Sequence, residues 1–447
     1  MTVTEVAIVL PGIMGSVLKD GTDVVWPGPV TQLFLPYQKM PQLLQEKLDA
    51  TDIIRSVSLS TQYKALIDAL AACGFHESVV PQTLFVCPYD WRKDNALAAP
   101  KLASVVAEAT KAHGSDIEIT FIAHSMGGLV ARYYLESGEF DDELGFGNIK
   151  RLITLATPHR GAPLALQAAL GQIRRLFLDE KQVSTLANDK RFPSVYQLLP
   201  PRGVPFAWDE DAKSRFGEVD VYQPSVSSAL GLSQENIGAA VQFHAKLNLG
   251  RRPDHVRYFF FAGTRQKTVS EVRIRLSQTG SRVRAEQRED AGDGTVPLWS
   301  GCQSGVQMAP VGGEHGDIYK DGKLQQILAV LLGKAGALAA ALPRMELSLR
   351  DPVLIPAEQT RAVLDFRQVA NQLDGRVNIV RIVDGKGNLL PSPVISATQP
   401  VKYTGIGIDR LSLEVTAPDF TGLYRVQFIN AQNNSIEAED DLIVQAP

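Results

Sequence analysis

Hydrophobic positions along the chain fall into two textures, with the change at Pro343. Before it, short, mainly apolar strand-like runs alternate with stretches whose apolar residues recur at helical spacing. The runs Val6–Leu10, Leu84–Cys87, Ile117–Ile122, Leu152–Leu155, Val256–Phe261 and Val306–Ala309 read as strands, and their alternation with helices reads as a sheet covered on both faces. Tyr63–Cys73 places Leu66, Ile67 and Leu70 on one helical face, and Gly74 stands where a left-handed cap ends such a helix. Leu97–His113 repeats the helical rhythm. The alternation predicts an α/β domain with a mostly parallel sheet. From about residue 163 to about residue 253 the strand rhythm lapses, which predicts a helical cap inserted above the sheet.

Beyond Pro343 the pattern switches to period two. Met345–Leu349, Val377–Val383, Leu411–Val415 and Leu423–Phe428 are separated by polar turns such as Asp384–Asn388 and Asp419–Gly422. Residues 344–447 are therefore expected to form an immunoglobulin-like antiparallel β-sandwich, leaving 1–343 as the α/β domain. No chemistry is legible in the second domain. It either stabilises the first or serves as an interaction module for a protein partner, a membrane or a second copy.

The sharpest chemical signal is Ile122-Ala123-His124-Ser125-Met126-Gly127-Gly128, between a predicted strand and the helical stretch Leu129–Glu136. A serine on a tight strand-to-helix turn has its hydroxyl lifted clear of the backbone. The turn demands small residues two positions to either side, here Ala123 and Gly127. Such a serine needs a base and an acid, which on this type of turn follow it in the order acid, then histidine. Asp293 lies between Gly292 and Gly294, and His315 lies in Gly312-Gly313-Glu314-His315-Gly316-Asp317. Asp290 competes with Asp293. His159, in Thr157-Pro158-His159-Arg160-Gly161, ends another predicted strand and could line a site, but it precedes the acid. His124 is expected to point away from Ser125.

An anion forming beside Ser125 needs two amides. One is the N–H of Met126, at the start of a helix. The loop Pro11-Gly12-Ile13-Met14-Gly15-Ser16 after the first strand offers the other at Ile13.

Taken together, Val9–Ser16, Val25-Trp26-Pro27-Gly28, Pro88-Tyr89-Asp90-Trp91-Arg92, the Ser125 turn, Ala156–Gly161, Pro193–Pro200 and the Asp293 and His315 segments resemble the lecithin:cholesterol acyltransferase family, which includes lysosomal phospholipases and phospholipid:diacylglycerol acyltransferases. The resemblance implies an α/β-hydrolase fold, a serine acyl-enzyme and glycerolipid or phospholipid esters as acyl donors. It places Ser125 as nucleophile, Asp293 as acid, His315 as base, and Ile13 and Met126 as oxyanion donors. Hydrolysis is the favoured outcome, because the family's acyl-transfer specialists are secreted or membrane-bound. Acyl transfer to a lipid hydroxyl and hydrolysis of a non-lipid ester remain open, and the complete triad argues against an inactive scaffold.

Two apolar segments are candidates for lipid contact: Leu33–Tyr37 with Leu43 and Leu44, and a helix-like Leu164–Phe177 carrying Arg174 and Arg175. Asp90 and Arg92 are expected to pair and prop the oxyanion loop. The 45 basic and 49 acidic residues give a net charge of −4, which offers nucleic acid no basic surface. Three scattered cysteines form neither a disulfide framework nor a metal cluster, so no metal or cofactor is expected. No apolar run reaches the about 18 residues of a membrane span. With no secretory signal legible near Met1, a cytoplasmic location with peripheral membrane contact is expected, signal-independent export remaining open.

Overall fold

The computed structural model describes residues 3–28, 34–57, 60–61, 63–212, 217–277, 280–334 and 345–447, apart from the side chains of 56, 57, 60, 61 and 367. Its first domain is built on β1 (Thr4–Leu10), β2 (Leu84–Val86), β3 (Ile117–His124), β4 (Ile149–Leu155), β5 (Arg257–Gly263), the hairpin strands β6 (Gln266–Arg275) and β7 (Arg282–Gly292), and β8 (Gln307–Val311). Six of these strands form one all-parallel sheet in the order β8-β5-β4-β3-β1-β2. They are the six apolar runs of the sequence.

Both faces of the sheet are covered, except at the β8 edge, where Gln307, Met308 and Pro310 are exposed. Along β1, Val6, Ile8 and Leu10 pack on one face, against α2 (Ala99–His113) and α3 (Met126–Glu136). Ala7 and Val9 pack on the other, against α1 (Lys64–Ala72) and the helix Gly322–Leu331. Gly74 follows α1 with φ +89°, the predicted cap.

Chain order reverses between β1 and β3: from β1 the chain goes to the β2 edge, returns to β3 and then continues away. In open parallel sheets the crevice beyond the strand ends at such a reversal is the place for a ligand. The loop Pro11–Ser16 leaves β1 there, and Ser125 leaves β3 beside it.

Helices Leu164–Ala169, Glu180–Asn188, Ser194–Gln197, Pro224–Ala229 and Gln234–Lys246 make the cap. The β6–β7 hairpin belongs with them, because Val269, Val272 and Ile274 share a core with Leu166, Tyr196 and Ile237. The helix read from Leu164 to Phe177 ends at Ala169. Gly171 at φ +65° and Leu176 at φ +50° turn the chain back, which buries Phe177 and Leu178. Among the described residues no helix is long and apolar enough to cross a membrane.

The C-terminal domain is a mainly antiparallel β structure, as the period-two pattern predicts, with one short parallel pairing of Val353–Leu354 against Ile443 and Val444. Its strands are β9 (Met345–Leu349), β10 (Val353–Leu354), β11 (Gln359–Asp384), β12 (Leu389–Thr416), β13 (Gly422–Asn430) and β14 (Ile436–Val444). They form a single sheet, β9-β11-β13-β14-β10, with β12 paired to β11. Register breaks around Ala370 bend the long β11–β12 hairpin. The sheet curls until β9 meets β14 across a core that includes Leu347, Tyr424, Phe428 and Leu442.

This domain docks on the first. Ile443, Leu423 and Val383 join the apolar core that contains Trp26 and Phe34. The Ala446 N–H donates to the Phe34 carbonyl at 2.8 Å, and Lys320 bridges Asp317 and Asp440 at 2.9 and 3.2 Å.

Candidate active site

Ser125 sits between β3 and α3 with φ +51° and ψ −127°, a strained backbone at the apex of the turn. The small residues around it are steric necessities. A Cβ on Gly127 would lie 2.4 Å from the Pro11 carbonyl oxygen, and one on Gly128 would lie 2.0 Å from Thr157 Oγ1. A Cβ on Gly12 would come within 2.8 Å of Ser125 Cβ, so the loop after β1 passes directly over the serine.

The structure brings together the three residues selected from the sequence. His315 Nε2 lies 2.9 Å from Ser125 Oγ, and His315 Nδ1 lies 2.9 Å from Asp293 Oδ2. A carboxylate only accepts, so Nδ1 carries the proton and Nε2 is left to accept from the serine hydroxyl. Asp293 Oδ1 accepts the N–H groups of Thr295 and Val296 at 2.9 and 2.6 Å, which fixes the carboxylate. Gly263, the last residue of β5, is where Asp293 approaches the sheet; a Cβ there would lie 2.5 Å from Asp293 Cβ. Asp290 is exposed on the hairpin with φ +55° and takes no part.

Met126 begins α3, and Ile13 stands on the facing loop. Both Ile13 and Ser125 line one cavity of about 1000 Å³, with Asp293 and His315. Among the described residues no acceptor engages the amide of Ile13 or Met126, so both remain available to an anion at Ser125.

His124 does not simply point away. Its Nε2 lies 2.8 Å from the His315 carbonyl oxygen, and its Nδ1 lies 2.8 Å from the Tyr63 hydroxyl, which accepts the Gly12 N–H at 2.7 Å. The carbonyl can only accept, so Nε2–H donates to it and Nδ1 accepts from Tyr63. Burial, reinforced by His315, lowers the His124 pKa to about 3, so the ring stays neutral. A histidine ending an otherwise apolar buried strand was the available signal for this bridge, because a buried polar group needs partners. Nothing in the sequence marked Tyr63.

His159 lies outside this constellation. It stacks on Phe260 with ring centroids 3.6 Å apart, and its Nε2 lies 3.0 Å from Thr154 Oγ1. Burial, followed by the charge of Arg132, pushes its pKa well down.

The Asp90–Arg92 pair exists, at 2.8 and 2.6 Å and with Arg92 fully buried, but it props a different segment. Arg92 Nη1 donates to the carbonyls of Leu43 and Gln45. The oxyanion loop is held instead by Tyr89, whose hydroxyl donates to the Pro11 carbonyl at 2.8 Å.

The two segments read as lipid-contacting are largely interior. Phe34 and Leu43 are fully buried, and Tyr37 donates its hydroxyl to the Val25 carbonyl at 2.7 Å; Leu33 lies outside the described residues. The C-terminal strand end covers Phe34. Phe177 packs on Trp26, and Arg174 pairs with Glu358 of the C-terminal domain at 2.5 Å, so it is not held for a membrane phosphate. Among the described residues no group of three or more His, Cys, Asp or Glu is arranged around a metal position.

A serine, an acid and a histidine in this chain order on a parallel sheet covered by helices make this an α/β-hydrolase fold with a nucleophile elbow. Residues 45–252 match the model of the family described as Lecithin:cholesterol acyltransferase, so the resemblance read from the short motifs holds over that span. The Ile13 loop, Asp293 and His315 lie outside it. No curated protein sequence matches the chain significantly. Solved structures similar to it include a chain of the Tle4-Tli4 complex, with TM-score 0.49, 15% identity, and coverage of 76% of this chain and 100% of that one. Phospholipase PlaB from Legionella pneumophila gives TM-score 0.33, 10% identity, and coverage of 98% and 90%. The metagenomic carboxyl esterase MGS0156 gives TM-score 0.33, 14% identity, and coverage of 76% of both chains.

Proposed function

We propose that the chain is a serine lipase or phospholipase that cleaves acyl esters of glycerolipids or phospholipids through an acyl-enzyme on Ser125. The observation that carries this reading is the unbroken line from Asp293 Oδ2 through His315 to Ser125 Oγ, both bonds at 2.9 Å, beneath a cavity of about 1000 Å³. The family match adds the lipid class of donor.

In this reading His315 takes the Ser125 proton as Oγ attacks the ester carbonyl. The Ile13 and Met126 amides hold the oxyanion, and Asp293 stabilises the imidazolium. Collapse of the tetrahedral intermediate passes the proton from His315 to the departing alcohol and leaves the acyl group on Ser125. Water, deprotonated by His315, then releases the fatty acid. Acyl transfer is a second reading favoured by one feature: Ser125 is only 4% exposed, and a shielded acyl-enzyme suits a lipid hydroxyl as acceptor. The peripheral membrane contact and cytoplasmic location expected from the sequence belong to the same proposal.

A fluorophosphonate probe tests the nucleophile directly. Labelling is expected on Ser125 and lost in Ser125→Ala; labelling that persists in the variant would contradict the assignment.

A further inference from the structure

The cavity above Ser125 is not walled by the α/β domain alone. Its lining continues onto the C-terminal domain at Leu349, Arg350 and Ile443, so the second domain closes one side of the site. Three arginines line the cavity, Arg174 and Arg175 in the cap and Arg350 just after β9, and Arg174 is already paired with Glu358. Arg175 Nη2 donates to Thr295 Oγ1 at 3.0 Å, two residues after the acid Asp293. Arg350 Nη2 donates to the Lys267 carbonyl at 3.0 Å.

Both residues are half-buried, and neither takes a carboxylate partner among the described residues. Arg92, Arg132 and Arg410 each grip a carboxylate within 2.7 Å. Among the described residues Arg175 and Arg350 form no ion pair. Burial weighs against the charge of Arg175; Asp351 and Asp293 oppose that, and Arg350 adds a smaller repulsion. Glu314, the carboxyl that acts on Arg350 from beside His315, is pushed up to about 8 by burial and is therefore mainly protonated at neutral pH. Two cations at the edge of the triad thus line the cavity without a carboxylate in direct contact, an arrangement that an anion would complete. The cap also lends the cavity apolar surface at Leu164, Ala168, Phe177 and Val183, beside polar Gln172, Asp179 and Gln182.

We propose that Arg175 and Arg350 together bind the phosphodiester of a phospholipid whose ester carbonyl sits at Ser125, so that the C-terminal domain supplies a specificity-determining residue of the active site. This rests on the lipid-ester reading above. The glycerol backbone separates phosphate and acyl carbonyl by only a few bonds, and Arg175 is tied through Thr295 to the loop that carries Asp293. Arg350 acts as a binding group in this assignment and takes no part in proton transfer.

The test uses the full-length protein and detergent mixed micelles of phosphatidylglycerol or of diacylglycerol with the same acyl chains. Arg175→Gln and Arg350→Gln are expected to lower the ratio of kcat/KM for phosphatidylglycerol to that for diacylglycerol by about tenfold or more, mainly through KM, and Arg350→Lys to restore part of it. Equal falls on both substrates would overturn the proposal. Thermal melts with sn-glycerol 3-phosphate and with inorganic phosphate provide a readout independent of hydrolysis. A rise in Tm with glycerol 3-phosphate that Arg350→Gln abolishes supports the site even if wild type cleaves no lipid, the result that would sink the lipid-ester reading instead. A matching rise with inorganic phosphate would show that the phosphate group alone is recognised. If wild type cleaves no lipid, a rise unchanged in both variants, or no rise, overturns the site.

Discussion

The Tyr63 hydroxyl and the His124 ring, 2.8 Å apart, join the loop that offers the Ile13 amide to the loop that carries His315. Tyr63 receives the Gly12 N–H, and His124 donates to the His315 backbone, so the oxyanion loop and the base are held to one buried strut. Tyr63→Phe removes the acceptor for Gly12 and the donor for His124 Nδ1 while preserving the ring. It is expected to cost about 1–3 kcal/mol of stability and to lower kcat by roughly 10- to 100-fold through misplacement of the reacting groups. Denaturant melts and ester kinetics check both; a stable variant with unchanged kcat would show that the strut positions nothing.

Glu314 gives the protein a pH dependence with a defined sign. Burial lifts its carboxyl from 4.5 to about 8 in the folded chain. Between those values the unfolded chain ionises while the folded one holds its proton, so stability falls as pH rises through this window. Glu314→Gln removes that contribution. Relative to wild type its Tm should be unchanged near pH 4 and should gain steadily toward pH 8; parallel Tm profiles would contradict the assignment.

The nucleophile turn is predicted to reject even one added methyl. Gly127→Ala sets a Cβ against the Pro11 carbonyl, part of the backbone, whereas Gly128→Ala meets the Thr157 side chain. Each should cost about 1–3 kcal/mol or more. Adding Thr157→Ala should recover part of the loss for Gly128→Ala and none for Gly127→Ala, a double-mutant comparison read by denaturant midpoint.

Lys320 is one of the ionic links between the domains, with Arg174–Glu358, Arg265–Asp409 and Lys323–Asp409 among the others. Asp440 accepts from Lys320 through one oxygen and from the Leu349 N–H, at 2.9 Å, through the other, immediately before Arg350. Asp440→Ala is expected to cost about 3 kcal/mol, the low end for a broken buried pair because Lys320 keeps Asp317. Equilibrium unfolding measures this, and a loss below about 1 kcal/mol would place the pair among weak surface bridges.

What could be read from the sequence followed from how local its causes are. The six sheet strands were legible because burial within the sheet makes most of them predominantly apolar, and Ser125, Asp293 and His315 because turn glycines and chain order mark them. Phe34 and Tyr37 misled, since an apolar segment in a loop has the same composition whether it meets lipid or is covered by Ala446. The bridge through Tyr63 joins residues 61 positions apart, and Arg350 reaches the cavity only through docking of a domain that carries no motif. Such relationships arise from the packed fold and leave no periodic trace.

The central claim is that Ser125 carries an acyl group taken from a lipid ester. Lipid mass spectrometry after incubating wild type and Ser125→Ala with mixed phospholipid and diacylglycerol liposomes tests it most directly. The account predicts free fatty acid, with lysophospholipid or monoacylglycerol, from wild type alone. Identical lipid profiles from the two proteins, with Ser125→Ala folded to the same Tm, would contradict it.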